Sequence, residues 1–139
     1  MKTLNSVLLV AVVGIMTSAA SFAEMSETTR FEVPFAFDAA GISFAAGDYT
    51  VSTESQAQLV KLSALTGKQI LLLDNHGGKR LNAGTKSVLV FHRYGDQFFL
   101  YQAAMAGADR ASQFKQSIRE KEISIARGAP SEVIVRAAD

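Results

Sequence analysis

Short runs of alternating apolar and polar residues, separated by glycines, are the feature that most constrains how this chain folds. Residues 31–37 place Phe, Val, Phe and Phe at every second position, which is the period of a strand with one buried face. Glycine adopts positive φ without steric penalty, so glycines between such runs are typical of turns. We therefore predict a mainly β protein with one C-terminal helix, built as a small antiparallel sandwich or partly open barrel of about six to eight strands.

Proline and the hydrophobic runs predict individual strands. Pro34 cannot donate to a sheet ladder, so residues 31–37 are predicted to be an edge strand or one end of a strand. Thr66-Gly67 is predicted to be a two-residue hairpin loop. Residues 70–73 are apolar on both faces, which predicts a central strand. The remaining predicted strands are residues 49–53, 57–65, 68–73 and 132–137.

A hairpin of residues 86–94 and 97–104 is the clearest single element, because Gly95-Asp96 has the length and composition of a primed turn. This loop predicts the cross-strand pairs Tyr94–Gln97, Arg93–Phe98, His92–Phe99, Phe91–Leu100 and Val90–Tyr101. One face then carries Leu89, Phe91, Phe98 and Leu100, and the other carries Val90, His92, Phe99 and Tyr101. Both faces are apolar, so each is predicted to be covered by another part of the chain.

A helix over about residues 109–127 is predicted to supply that cover for one face. Asp109 is a suitable N-cap, and Gly128 and Pro130 stop the helix. The apolar stripe that would face the sheet recurs at spacings of four and seven, at Phe114, Ile118 and Ile125.

The charged residues of the same segment are predicted to face solvent. Lys115, Arg119 and Glu120 lie mostly off the apolar stripe. Glu120 and Glu122 diverge on a helix, which makes them a poor acid–base pair and typical of a solvated charged face. Residues 123–125 alternate, so an alternative is that a strand starts before the predicted helix end.

The N-terminal segment has the pattern of a secretory signal peptide, predicted to be residues 1–23. Lys2 supplies a positive charge, residues 7–16 are an unbroken apolar or glycine run, and Ser21-Phe22-Ala23 resembles a cleavage site. A retained membrane anchor is the alternative, but a spanning helix needs about 20 apolar residues. Residues 24–139 are then predicted to form one β-rich domain, periplasmic or extracellular, with residues 24–30 as a flexible lead-in.

Charge and cysteine content exclude several function classes. Cleavage after Ala23 leaves 116 of the 139 residues and removes Lys2, so that 13 basic side chains balance 13 acidic ones. A neutral protein has no long-range field that draws it to nucleic acid or anionic lipid, so neither is a predicted partner. The chain has no Cys, which excludes a disulfide framework, a thiolate metal site and a cysteine nucleophile.

Four blocks of the sequence resemble a functionally uncharacterised group of small, secreted, β-rich bacterial proteins. The blocks are residues 31–37, 45–51, 89–100 and 117–122, of which residues 89–100 are the most specific. No activity is established for that group. The resemblance therefore implies an exported β-rich fold and no catalytic or binding residue.

Aromatic residues are concentrated in two parts of the chain, with five in residues 31–49 and five in residues 91–101. They are predicted to form the core between two sheets, because aromatic side chains dominate protein cores. The alternative is a surface or groove for a partner protein or a small apolar or sugar ligand. The candidate binding residues for that alternative are Val90, His92, Phe99 and Tyr101.

The two histidines belong to no recognisable catalytic motif. His92 is predicted to be a partly buried strand residue that packs on aromatic rings, with a general base or ligand as the alternative. His76 and Asp74 supply too few ligands for a metal, and residues 77–80 lack the Walker spacing, so this segment is predicted to be a solvated turn. Residues 41–45 lack the final glycine of a serine hydrolase elbow. No cofactor and no metal is predicted.

The leading functional prediction is an exported, non-enzymatic module that binds a partner or ligand, which would show an exposed apolar patch or an unpaired strand edge. An alternative is a small β-barrel carrier, with a closed, aromatic-lined cavity of on the order of a few hundred Å³ for a hydrophobic ligand. The third prediction is an enzyme that gathers His92 or His76 with carboxylates in a cleft.

Overall fold

The structure is a computed structural model that describes residues 27–54, 58–75, 86–108 and 110–138. The predicted signal segment (residues 1–23), His76 and Asp109 lie outside the described residues. The described part of the chain forms ten strands and one helix: β1 (Glu27–Val33), β2 (Phe37–Ala39), β3 (Ile42–Phe44), β4 (Gly47–Glu54), β5 (Leu59–Ala64), β6 (Gln69–Leu73), β7 (Val88–Tyr94), β8 (Gln97–Ala104), β9 (Ser112–Gln113), α1 (Ile118–Arg127) and β10 (Ser131–Arg136).

The described strands form two sheets and no closed barrel, which confirms the predicted mainly β fold with one C-terminal helix. Sheet A is antiparallel with the strand order β1-β4-β5-β6. Sheet B has the order β10-β7-β8-β2-β3, and β9 pairs with β8. The sheets meet where Phe31 of β1 bridges Ala137, next to a hydrogen bond from Ala138 N to Arg30 O of 2.9 Å.

Aromatic rings from both sheets fill the space between them, as predicted, whereas Tyr94, Phe99 and Tyr101 lie on the other face of sheet B. Phe31, Phe37, Phe44, Tyr49 and Phe91 are buried in one cluster with aliphatic side chains of both sheets. Phe37 stacks on Phe44 and makes edge contacts with Tyr49 and Phe91, with ring centroids 5.1 Å apart in both edge contacts. Edge-to-face packing of this kind is the preferred geometry for aromatic pairs.

The predicted hairpin is present as β7 and β8, with Gly95 at a φ of +62° in the turn. Four predicted pairs, from Tyr94–Gln97 to Phe91–Leu100, are confirmed. The predicted pair Val90–Tyr101 is wrong, because Val90 lies opposite Gln102. A β-bulge between Val90 and Phe91 places one extra residue, Tyr101, in β8.

The N-terminal strands differ from the prediction in two ways. Residues 27–30 belong to β1, so this part of the predicted flexible lead-in is paired with β4. Residues 31–37 do not form one strand: β1 ends at Val33, directly before Pro34, and β2 begins at Phe37 in the other sheet. Proline removes a ladder donor, so the chain changes sheet there.

Strand β6 is at the edge of sheet A, so the prediction that residues 70–73 are central is wrong. Leu71 and Leu73 are 59% and 68% exposed. The loop before β6 is also one residue longer than predicted, because the Ala64 N–H donates to Lys68 O and leaves residues 65–67 outside the ladder. Gly67 takes a φ of +98° at the end of that loop.

Helix α1 begins at Ile118, so residues 110–117 of the predicted helix are not helical. The end at Arg127 agrees with the prediction, and Gly128 caps the helix through a hydrogen bond from its N–H to Ser124 O. The predicted apolar stripe is wrong, since Ile118 and Ile125 are 78% and 85% exposed and Phe114 lies before the helix. The only residue of α1 that is buried is Glu120.

Candidate functional site

The outer face of sheet B, which lies away from sheet A, carries the four candidate binding residues. Val90 and Phe99 are buried there, His92 is 8% exposed, and Tyr101 is half-buried. His92 lies directly opposite Phe99, and its ring stacks on Tyr101 with centroids 3.8 Å apart. The structure therefore brings the four together on one face, but as a packed layer and not as an open groove.

A buried polar cluster of Glu120, His92 and Tyr94 lies between this face and α1. Oε1 of Glu120 is 2.7 Å from Nδ1 of His92 and 3.3 Å from the hydroxyl of Tyr94. All three residues are less than a tenth exposed. An ionised carboxylate only accepts hydrogen bonds, so His92 and Tyr94 are the donors to one oxygen.

Helix capping and one further ion pair place Glu120 over the sheet. The hydroxyl of Ser117 accepts from Glu120 N at 3.2 Å, which fixes the first turn of α1. Beside it, Arg119 Nη1 lies 3.4 Å from a carboxylate oxygen of Asp38 in β2. The helix is therefore attached to two strands of sheet B by polar contacts on adjacent residues of its first turn.

Only one ring nitrogen of His92 has a hydrogen-bond partner among the described residues. Nδ1 faces Glu120, whereas Nε2 makes no hydrogen bond to the described residues and is not among their buried, unpartnered polar atoms. In a neutral ring a carboxylate on Nδ1 leaves Nε2 as an acceptor, whereas a protonated ring donates from both nitrogens. The cluster is thus able to hold and orient a proton, although none of the grooves considered below contains His92 or Glu120.

Burial, the nearby charge of Glu120 and the hydrogen bond to it together raise the pKa of Tyr94 to about 12. The native state therefore retains this proton more strongly than an unfolded chain, in which a tyrosine titrates near 10. The resulting stability is fully present below pH 10 and is lost as the pH rises towards 12.

Tyr94→Phe is expected to flatten this alkaline loss of stability. Between pH 8 and pH 11.5 the unmodified protein should lose about 2 kcal/mol more free energy of unfolding than the variant. Over this range Tyr94 ionises in the unfolded chain but keeps its proton in the folded protein, and the variant has no phenol at this position. Urea unfolding at the two pH values measures the difference. Tyr101→Phe is the control, since that phenol lies on the same face without a hydrogen bond to Glu120. Equal losses for both variants would contradict the assignment.

The prediction for His92 identified its aromatic neighbours but missed its partner. Glu120 was predicted to be solvated, which is wrong, because it is 3% exposed. A signal was present in the sequence: Ser117-Ile118-Arg119-Glu120 has the spacing of a capping box, which places the helix start at Ser117 instead of Asp109. That register turns Glu120 inwards and Ile118 outwards.

The open edge of sheet A is a second candidate site. Hydrogen bonds in an antiparallel ladder alternate, and Asp74 N donates to Gln58 O at 2.9 Å, so even-numbered residues of β6 bond to β5. The backbone N–H and C=O groups of odd-numbered residues therefore point away from β5. Asn75 shows this direction, because its N–H donates to Gln113 O at 3.0 Å. Within β6 these are Gln69, Leu71 and Leu73, whose backbone groups have no partner among the described residues.

The grooves near these sites are open and mixed in polarity. One of about 280 Å³ lies at one end of the sandwich, between β5 and β8, beside Met105 and Arg110. Another, of about 190 Å³, runs between β2, β3 and the β7–β8 turn and includes Asp38 and Arg119. A third, of about 540 Å³, lies at the other side of that turn and is lined by Arg93, Tyr94 and Arg127 among others.

Comparisons with family models, with curated proteins and with solved structures found no match to this chain. The resemblance of residues 31–37, 45–51, 89–100 and 117–122 to a group of secreted proteins stays a prediction. The described residues include no helix with the length and hydropathy needed to cross a bilayer.

Proposed function

We propose that this is an exported, non-enzymatic protein that binds a partner protein at the edge strand β6. The observation that carries the proposal is the coincidence of open backbone groups and exposed leucines on the same residues. Leu71 and Leu73 are 59% and 68% exposed, and their N–H and C=O groups point away from β5 and have no partner in residues 27–54, 58–75, 86–108 and 110–138. Such an edge is a template for pairing with another extended strand.

The row of side chains that crosses the outer face of sheet A is polar until it reaches Leu71. Its members are Thr28, Ser52 and Lys61, which lie in register from β1 to β5 and end opposite Leu71. Natural edge strands are usually protected by charges, proline or a bulge. Residues 69–73 contain neither a charge nor a proline, and their register with β5 is regular.

The backbone groups and side chains of Leu71 and Leu73 favour an extended segment of a partner protein as the ligand of this edge. Its backbone would pair with Leu71 and Leu73, which gives affinity independent of sequence. Alternate side chains of that segment would lie beside the two leucines, so apolar residues at every second position are favoured. The periplasm or the extracellular space is the proposed location, supported by the signal-like pattern of residues 1–23.

The carrier and enzyme alternatives have less support. The aromatic rings that would line a carrier cavity contact one another, as Phe35 and Phe98 do at a centroid distance of 3.9 Å. His92 has a carboxylate partner, but the pair lies beneath a helix and neither residue lines a groove described above. Edge binding needs no rearrangement of either region.

Leu71→Pro is expected to abolish strand addition while leaving β6 paired with β5. Its missing N–H faces the open edge, so no bond to β5 is lost. The probe is a displayed library of linear peptides selected on the protein. Selected peptides should alternate apolar residues and bind the variant at least tenfold more weakly. Ile134→Lys is the control, because Ile134 is 51% exposed in the other sheet.

Two results would count against this proposal. Peptides that bind Leu71→Pro as tightly as the unmodified protein would place the site elsewhere. A sedimentation experiment that shows a dimer, converted to a monomer by Leu71→Pro, would assign the edge to a second copy of the chain instead of a different partner.

A further inference from the structure

The β7–β8 turn brings two arginine side chains to one glycine. Nε of Arg93 donates to Gly95 O at 2.8 Å. Nη1 of Arg127, at the end of α1, lies 2.5 Å from the point that a Cβ on Gly95 would occupy. Both arginines are among the residues that line one open groove of about 540 Å³. The helix end and the hairpin turn therefore meet at a positively charged concavity.

The backbone conformation of the turn favours glycine at position 95, because its φ of +62° is strained for residues with a side chain. Arg127 Nη1 lies close to this glycine, at the flexible end of an exposed side chain. The two arginines are therefore near each other at the turn.

The two positive charges are not neutralised within the described part of the chain. Arg93 and Arg127 form no ion pair there, although Asp96 follows in the turn and Glu132 lies in the neighbouring β10. Both side chains are exposed, so an anion from solvent can reach them. Arg93 also lies over the Phe98 ring at 5.5 Å, which holds its guanidinium plane in place.

We propose that this groove binds the dianionic phosphate group of a phosphate monoester. Two guanidinium groups match a dianion in charge, and their planar forks donate in pairs to phosphate oxygens. Ser131 lies opposite Arg93 in β10 and adds a hydroxyl to the same lining. The groove has room for more than the phosphate alone, so an organic group is accommodated with it.

Titration with phenyl phosphate, followed by amide chemical shifts at constant ionic strength, tests this site. Shifts are expected at Gly95, Arg127 and Ser131. Arg127→Ala and Arg93→Ala should each weaken binding about tenfold, the effect of losing charge-assisted hydrogen bonds of about 1.4 kcal/mol. Arg136→Ala is the matched control, since Arg136 is an exposed arginine of β10 outside the groove.

Further arms separate the possible sources of the phosphate. Vesicles that contain phosphatidic acid present the same monoester on a membrane surface, whereas phenyl phosphate presents it in solution. Cosedimentation with these vesicles that is lost in Arg127→Ala would identify a lipid headgroup, and binding of phenyl phosphate alone would identify a soluble ester. The absence of saturable shifts with phenyl phosphate, or equal binding by Arg136→Ala and both groove variants, would overturn the proposal.

Discussion

Phe91→Ala is expected to lower the free energy of unfolding by about 3–5 kcal/mol, the usual cost of removing a fully buried phenylalanine ring. Phe91 has no exposed surface and lies in β7, an interior strand of sheet B. Its ring meets Phe35 and Phe37 at centroid distances of 4.9 and 5.1 Å. Alanine would leave a cavity between the sheets that rigid β strands close only partly.

Urea unfolding of the purified variant measures this loss, and Phe98→Ala is the comparison. Phe98 is in the same hairpin and stacks on Phe35, but it is only partly buried at the edge of the core. Its truncation should cost less than half as much. If Phe98→Ala were the more destabilising change, the core would not be centred on Phe91.

The hairpin and the aromatic core were predictable because their determinants are local. A two-residue turn with Gly95 fixes which residues of β7 and β8 are opposite, and a period of two then assigns each side chain to a face. The bulge at Tyr101 escaped prediction, since an extra residue in one strand leaves no mark in the apolar pattern. It shifts the register from Val90 onwards, on the side away from the turn, so the predicted pairs are retained between Phe91 and the turn.

The helix face was not predictable from apolar spacing alone. Ile118 and Ile125 have the spacing of a buried stripe, yet both face solvent. The surface beneath α1 presents the polar groups of His92 and Tyr94, which are better matched by the carboxylate of Glu120 than by a methyl group. Such complementarity depends on residues that are distant in sequence, whereas the apolar period of a segment depends on that segment alone.

The position of β6 illustrates a similar limit. Four consecutive apolar residues at 70–73 predict a strand buried on both faces, because central strands have that composition. The order of strands in a sheet is a property of the whole fold, however, and β6 has one neighbour among the described strands. Its two outward leucines are exposed, so an apolar run in this strand does not indicate burial on both faces.

Glu120→Ala is expected to destabilise the attachment of α1 by about 3 kcal/mol, the cost of leaving buried donors without their charged acceptor. Both His92 Nδ1 and the Tyr94 hydroxyl lose their partner, and alanine restores neither. Glu120→Gln should cost less, because its amide oxygen still accepts one of the two hydrogen bonds. Glu122→Ala, at an exposed position of the same helix, should change stability by no more than about 0.5 kcal/mol.

Two measurements distinguish local from global effects of Glu120→Ala. Urea unfolding reports whether the whole fold loses stability, and amide hydrogen exchange over residues 118–127 reports opening of α1 by itself. If the helix detaches as a unit, exchange there should accelerate about 100-fold, the equivalent of about 3 kcal/mol, while β7 and β8 retain their protection. Unchanged exchange in both Glu120→Ala and Glu122→Ala would show that the polar cluster does not hold the helix and that other contacts attach α1 to the sheet.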